Sequence, residues 1–190
     1  MGTTNVDLDR RTLIEATANG WWYSSQLSDH KRVVVFHTDD QDPSSKRARK
    51  QEGFLDMLLQ ETVYISHIIE NIDYRVISGA GYPRCTAAGS SYLDPFGDEV
   101  ERWCAIGDAA IAFDPLSSQG MITALRMGGL LGIVLSKKFE RLELLRESEL
   151  GLDMVQKQNE DCRKDYEKKR RYFYRQCMFS SEFWQRQKSM

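Results

Sequence analysis

The stretch of sequence that most constrains this chain is Cys104–Met121, which reads Cys-Ala-Ile-Gly-Asp-Ala-Ala-Ile-Ala-Phe-Asp-Pro-Leu-Ser-Ser-Gln-Gly-Met. It starts as a short apolar strand, turns at Gly107-Asp108 and continues through a loop of small residues. An apolar run follows, which predicts a helix that begins near Gln119 or Gly120 and ends at about Ser136. The stretch therefore predicts a strand, a loop and a helix start in close succession.

Each part of this stretch suits a bound ligand. Gly107 at the strand end lets a ligand approach the backbone closely, and Asp108 can accept hydrogen bonds from hydroxyl groups. Pro115 fixes the direction of the loop. Gly120 lies where free N–H groups and the positive end of a helix dipole favour an anionic ligand. A polyol joined to a ring that gains negative charge would fit both ends, and a plain loop is the alternative.

The predicted helix is apolar on nearly all sides, which is typical of a helix in a protein interior. Its most apolar run, residues 121–135, is interrupted by Gly128, Gly129 and Gly132 and is short for a membrane span. We therefore expect a buried helix and no membrane partner.

The rest of the chain mixes strands and helices and predicts an α/β or α+β fold. Residues 21–27 and 32–38 are rich in aromatic and β-branched residues, and the turn between them predicts a β-hairpin. A helix cap at 42–45 precedes a predicted helix over about Ser45–Glu61. A second helical stretch covers Ile65–Asn71, and the charged segment 139–176 predicts one or two surface helices.

Composition argues against several partners and locations. The formal net charge of -2 favours neither nucleic acid nor an anionic membrane. The basic and aromatic run 164–175 resembles single-strand nucleic-acid binders, but its helical spacing is simpler to explain as a charged outer face with an aromatic seam. No apolar segment typical of a secretory signal occurs near Met1, so we expect a cytoplasmic protein.

Cysteine and histidine usage predicts no metal site. The four cysteines form no CxxC pair and the three histidines are scattered, which argues against zinc and against a disulfide framework. His37 and His67 are candidate general bases by residue type alone, so the catalytic residues stay unassigned.

The stretch 104–121 resembles the second flavin-binding motif of FAD-dependent monooxygenases of the p-hydroxybenzoate hydroxylase type. It is closer still to the related tryptophan-halogenase-like FAD oxidoreductases. Their pattern is Gly-Asp-Ala-Ala, then a proline, then a glycine that begins a long helix. Pro115 follows Asp108 by seven residues and Gly120 follows it by twelve, which matches the family spacing.

Further segments are similar to the same families, so the resemblance covers about Leu13 to Arg186. Gly20-Trp21-Trp22-Tyr23-Ser24 resembles a substrate-domain strand, residues 88–94 resemble the run into the flavin motif, and residues 179–186 resemble the C-terminal tail of one branch. The resemblance implies three segments: a substrate-domain-like part over 1–100, the flavin motif with its buried helix over 101–137, and charged helices with an aromatic tail over 138–190.

The resemblance implies a role for each residue of the motif. Asp108 would hydrogen-bond the ribityl chain of FAD, and Pro115 would lie beside the isoalloxazine ring. The backbone N–H groups of Gly120 and Met121 would face the N1–C2=O2 edge of the ring. Gly107 and Gln119 complete the predicted cofactor-binding set, whereas Trp21 and Trp22 are weaker candidates for substrate contact, with core packing as the alternative.

The chain departs from these families in one major respect. Full members begin with a strand, a Gly-x-Gly-x-x-Gly turn and a helix that bind the FAD pyrophosphate, and no such motif occurs in this sequence. We therefore expect the C-terminal part of the fold, with the Rossmann βαβ unit missing and a missing N-terminal half or partner chain to supply it. Halogenases also need a Trp-x-Trp-x-Ile-Pro segment and a lysine, both from the missing part.

Three functions follow from the resemblance. The first is an FAD-dependent, monooxygenase-like oxidoreductase that oxidises or hydroxylates a small organic substrate, with NAD(P)H or a reductase as electron donor. The second is a truncated, non-catalytic remnant or interaction module that does not bind FAD alone. The third is a relative of flavin-dependent halogenases.

Overall fold

The computed structural model describes residues 1–77, 81, 83–98, 103–141 and 152–189. The chain divides into two compact units. The first comprises Met1–Thr86 and Tyr174–Met190, and the second comprises Ala87–Phe173. These units do not coincide with the three segments expected from motifs, and that functional division stays a prediction. Small sheets and helices occur together, which is consistent with an α+β class.

The first unit is built on a three-stranded antiparallel sheet in the order β1-β2-β3. Its strands are β1 Leu13–Thr17, β2 Gly20–Leu27 and β3 Lys31–His37. The predicted hairpin is confirmed: Asp29 and His30 have φ angles of 57° and 54° between β2 and β3, as a tight hairpin turn requires. The pairing of β2 with β3 also requires a glycine at position 20, because a Cβ atom there would lie 2.3 Å from the carbonyl oxygen of His37.

Three helices follow the sheet: α1 Pro43–Ala48, α2 Gln51–Glu61 and α3 Tyr64–Asn71. The expected cap is present, since the Asp42 carboxylate accepts a 2.9 Å hydrogen bond from the Ser44 N–H. The prediction of one helix over 45–61 is wrong, because Lys50 is extended (φ -97°, ψ 135°) and separates α1 from α2. After this break the chain packs so closely that a Cβ on Gly53 would lie 2.4 Å from the Arg47 carbonyl oxygen.

The core of the first unit forms where α2 and α3 pack on the sheet. Its buried side chains are Trp22, Met57, Leu58, Ile65, Ile69 and Tyr74. The Glu15 carboxylate on β1 accepts hydrogen bonds from the N–H groups of Tyr64 and Ile65 at 3.1 Å each, so the sheet caps the start of α3. The last helix, α6 Glu182–Ser189, belongs to this unit, and Trp184 donates a 2.8 Å hydrogen bond to the Thr17 carbonyl oxygen.

A buried ion pair holds the N-terminal segment to the sheet. Arg32 and Asp7 are 2.8 Å apart, and their side chains are 0 % and 2 % exposed. Arg32 also donates to the Ser24 hydroxyl at 3.2 Å, and Tyr74 donates to Asp7 at 2.7 Å. A buried charge that loses its partner is costly, so this network ties the segment before β1 to the sheet through Asp7.

Within its described residues, the second unit has two short antiparallel strand pairs and two long helices. The pairs are β4 Ser91–Tyr92 with β7 Ile111–Ala112, and β5 Gly97–Asp98 with β6 Trp103–Cys104; the helices are α4 Gly120–Arg141 and α5 Leu152–Gln176. The last three residues of α5 are grouped with the first unit. The core of the second unit contains Phe96, Ala110, Ile111, Met127 and Val155. The predicted start of α4 is confirmed, and the helix extends beyond the expected end at Ser136.

Helix α4 is less buried than the sequence predicts. Within Gly120–Lys137, Thr123 and Met127 are buried, and the other side chains are half-buried or exposed. One face packs on the core of the second unit, whereas the opposite face meets no covering element in the described ranges. The expectation of a buried helix is therefore not met. By length and composition alone the same window could also cross a bilayer.

We predict that Asp7→Ala lowers the free energy of unfolding by about 3–5 kcal/mol, because it leaves the Arg32 charge buried without its partner. Asp9→Ala is the matched control: its carboxylate pairs with Arg11, whose side chain is 75 % exposed, so the cost should stay below about 1 kcal/mol. Urea denaturation of the two variants measures both values. Equal losses would contradict a structural role for the buried pair.

The same pair predicts a pH dependence. Burial alone would raise the pKa of Asp7, but the hydrogen bonds from Tyr74 and Arg32 outweigh it and hold the pKa below its ordinary value. Asp7 therefore makes its full contribution to the free energy of unfolding at pH values above its pKa in the unfolded chain, which is about 4. That contribution is lost as the pH falls through the lower pKa that Asp7 has in the folded chain. The difference in free energy of unfolding between wild type and Asp7→Asn should therefore become smaller as the pH is lowered. A difference that grew would contradict a lowered pKa of Asp7 in the folded chain.

Candidate functional site

The turn at Gly107 has a shape that favours glycine. Its φ angle is 59°, and a Cβ atom there would lie 3.1 Å from the Cβ of Ala124 on α4. Both features disfavour any larger residue. The short 3-10 helix Gly107–Ala109 is closed by a 3.0 Å hydrogen bond from the Ala110 N–H to the Gly107 carbonyl oxygen. The close approach of Gly107 to Ala124 holds the turn against the first part of α4.

The turn brings Asp108 next to the start of α4. The Oδ1 atom of Asp108 lies 3.5 Å from the position that a Cβ atom on Gly120 would occupy. The Asp108 side chain is exposed, so its carboxylate is open to a ligand. The structure therefore brings together two residues that are twelve positions apart in sequence. We call this pair, with the first-turn N–H groups of α4, the candidate site.

The loop before α4 is shaped by local hydrogen bonds. The Asp114 carboxylate accepts from the Leu116 N–H at 2.9 Å, and Pro115 begins the 3-10 helix Pro115–Ser117. Ser118 has a left-handed backbone with φ 51°, and the Gln119 N–H donates to the Ser117 hydroxyl at 3.3 Å. The Gln119 N–H is therefore already engaged within the chain.

The first N–H groups of α4 point out of the helix start. The Thr123 N–H donates to the Gln119 carbonyl oxygen at 2.9 Å, which closes the first helical turn. The N–H groups of Gly120 and Met121 precede that bond, and the first four N–H groups of a helix have no intrahelical partner. Asp108 beside this positive helix end stabilises the helix by about 0.3–1 kcal/mol. The same arrangement presents donors and an acceptor to a ligand that has both hydroxyl and anionic groups.

Tyr166 on α5 holds the loop from the side. Its hydroxyl accepts a 3.0 Å hydrogen bond from the Asp114 N–H, forms a short hydrogen bond with Ser90, and its ring lies 4.8 Å from that of Phe113. The side chain is buried, and burial raises the pKa of its hydroxyl, which keeps it protonated. Arg170, one turn later, lies 3.7 Å from the Asp114 carboxylate. Sequence reasoning missed Tyr166, because nothing in the sequence links it to a loop 52 residues away.

The predicted substrate residues lie in the first unit and pack within it. Trp22 is fully buried, and its ring lies 4.7 Å from Phe36 and 5.1 Å from Phe54. Trp21 stacks on His37 at 3.8 Å. These contacts agree with core packing, and a substrate role for either tryptophan stays a prediction.

The described side chains offer little for other chemistry. No group of three or more His, Cys, Asp or Glu residues within the described ranges is placed to hold a metal ion. Burial raises the pKa of the Cys104 thiol, which disfavours the reactive thiolate there. The Asp108 carboxylate and the first N–H groups of α4 stay the predicted ligand-binding groups.

Comparisons with known proteins give one informative result. No family model matches the chain, and no solved structure matches it. A curated protein from Marinomonas mediterranea, "Putative FAD-dependent oxidoreductase LodB", is 32 % identical over 110 residues, which cover 57 % of this chain and 27 % of LodB. The match therefore spans about a quarter of the length of this relative. The chain is thus distantly related to a protein described as an FAD-dependent oxidoreductase, which supports a general oxidoreductase kind and suggests FAD as the cofactor.

Proposed function

We propose that this chain is the flavin-contacting, C-terminal part of an FAD-dependent, monooxygenase-like oxidoreductase. The observation that carries the proposal is the 3.5 Å separation between the Asp108 carboxylate and the Cβ position of Gly120. One flavin could contact both groups, because the ribityl chain and the ring edge of a flavin are directly joined. The distant relationship to LodB supports FAD as the ligand.

In this proposal the acceptor and the donors of the site have separate roles. The exposed Asp108 carboxylate accepts hydrogen bonds from ribityl hydroxyls, and Gly107 allows the cofactor to approach the backbone. The N–H groups of Gly120 and Met121 face the N1–C2=O2 edge. A helix N-terminus stabilises negative charge on that edge by about 0.3–2 kcal/mol, which favours the reduced cofactor. Pro115 borders the ring. Gln119 supports the site through its carbonyl oxygen, which accepts the hydrogen bond that closes the first turn of α4.

The bound cofactor would supply the redox chemistry, with NAD(P)H or a reductase as the electron source. The substrate would be a small organic molecule that is oxidised or hydroxylated, and Trp21 and Trp22 remain the candidates for contact with it. The ADP moiety needs a Gly-x-Gly-x-x-Gly unit, which this sequence lacks, so a further polypeptide segment or partner chain would hold it. No residue of this sequence supports a halogenase reaction.

A second candidate function is a non-catalytic interaction module. The exposed apolar side chains of α4 favour it, because exposed apolar patches mark interaction sites among other things. The two functions differ in one observable, which is whether the purified chain binds flavin.

We predict that the full chain binds FMN, because FMN presents the ring and ribityl chain without the ADP moiety. Asp108→Ala should weaken this binding about 10-fold to 100-fold, since hydrogen bonds to a charged group contribute about 1.5–3 kcal/mol. Asp161→Ala is the control, because Asp161 is an exposed residue on α5. Flavin fluorescence titration measures the affinity. Equal affinities for both variants, or no FMN binding by wild type, would rule out the proposed site.

We also predict that Tyr166→Phe weakens FMN binding, because the loop that carries Pro115 loses the hydroxyl that holds Asp114. The free energy of unfolding should fall by about 1–3 kcal/mol, as expected for an unsatisfied buried group. Tyr172→Phe on the same helix, where the side chain is 61 % exposed, should change neither value. Hydrogen exchange of residues 113–119 tests the mechanism, and an unchanged exchange rate in Tyr166→Phe would disprove a positioning role.

A further inference from the structure

Asp108 and Asp114 both border the candidate site, but only the charge of Asp114 is balanced by a nearby cation. The Nε atom of Arg170 lies 3.7 Å from the Asp114 carboxylate, and both side chains are largely buried. Asp114 also accepts the hydrogen bond from the Leu116 N–H. Asp108 is exposed, and it forms no ion pair with any residue that the structure describes. The negative charge that a ligand meets at this site therefore comes from Asp108.

The Asp108 carboxylate lies beside the positive end of α4. Its Oδ1 atom is 3.5 Å from the position that a Cβ atom on Gly120 would occupy, and the Gly120 N–H belongs to the first turn of the helix. The start of a helix carries about half a positive charge, whereas the carboxylate carries a full negative charge. Asp108 therefore offsets the attraction of the helix start for a negatively charged ligand group.

A flavin changes its charge when it is reduced. The oxidised ring is uncharged. At about pH 8 reduction adds two electrons and one proton, which leaves one negative charge on the N1–C2=O2 edge. A fixed negative charge beside that edge repels the reduced ring and has much less effect on the oxidised ring. Asp108 can therefore distinguish the two states of the cofactor without a change in its own contacts.

We propose that Asp108 determines which charge state of the cofactor this site prefers. Its carboxylate accepts hydrogen bonds from the ribityl chain in both states. Its charge lowers the affinity for the reduced, anionic flavin relative to the oxidised flavin, and the first N–H groups of α4 act in the opposite direction. This role rests on the proposed function, because the ligand must be a flavin.

A role of this kind acts on the reduction potential of the bound cofactor. The affinities for the two states and the reduction potential are linked by one thermodynamic cycle, so weaker binding of the reduced state lowers the potential. The helix start alone would raise it. Asp108 therefore limits how far this chain stabilises the reduced cofactor.

The test compares Asp108→Asn with wild type. The amide has nearly the same size as the carboxylate and still accepts a hydrogen bond from a ribityl hydroxyl, but it carries no charge. Anaerobic calorimetric titration of the full chain at about pH 8 gives the dissociation constants of oxidised FMN and of FMN reduced with dithionite. The ratio of the reduced to the oxidised dissociation constant should fall at least about 5-fold in Asp108→Asn, as expected for two charges several ångströms apart near a protein surface.

Three controls separate the charge of Asp108 from other effects. Asp161→Asn removes the same charge from an exposed position on α5 and should leave the ratio unchanged. Riboflavin, which has no phosphate, should show the same fall in Asp108→Asn as FMN does. Asp108→Ser, a second neutral acceptor, should lower the ratio as well. Any loss of fold stability cancels from the ratio, because both states bind the same folded protein.

The outcomes separate this role from the proposed function itself. A wild type that binds FMN in neither state would overturn both. Binding of both states with a ratio that is unchanged or higher in Asp108→Asn and Asp108→Ser would overturn the role of Asp108 alone and leave the flavin site in place. A ratio that falls equally in Asp161→Asn, or that falls for FMN and not for riboflavin, would do the same.

Discussion

The approach of the turn Gly107–Ala109 to helix α4 is the contact on which the candidate site depends. Gly107 has a φ angle of 59°. A Cβ atom at this position would lie 3.1 Å from the Cβ atom of Ala124 on α4. In any larger residue the Cβ atom would press on Ala124, so the turn or the helix would have to shift by a few tenths of an ångström. The glycine therefore sets the position of a carboxylate that lies one residue further along the chain.

The surrounding contacts keep this geometry in place. Asp114 and Ser117 shape the loop from within, and Tyr166 fixes it from α5 through the Asp114 N–H. Met127 and Val155 join α4 and α5 to the core beneath the strands. The site is thus bordered by the start of α4 and by a loop held at several points, as a preorganised binding site requires.

Local signals predicted much of this structure. The hairpin turn, the Asp42 cap and the start of α4 depend on residues that are close in sequence, and each lies where the sequence places it. The break between α1 and α2 was missed, because it accompanies close packing of Gly53 on Arg47 rather than a breaker residue. The exposure of α4 and the role of Tyr166 were missed for a related reason: burial and long-range hydrogen bonds are set by the partners present, which periodicity does not reveal.

The central claim is that the Asp108 carboxylate and the first N–H groups of α4 contact one flavin. Amide NMR of the ¹⁵N-labelled chain during titration with FMN tests it residue by residue. We expect saturable shifts at Asp108, Gly120 and Met121, with one common dissociation constant. Shifts confined to other residues, or no shifts at these three while FMN binds, would contradict the account.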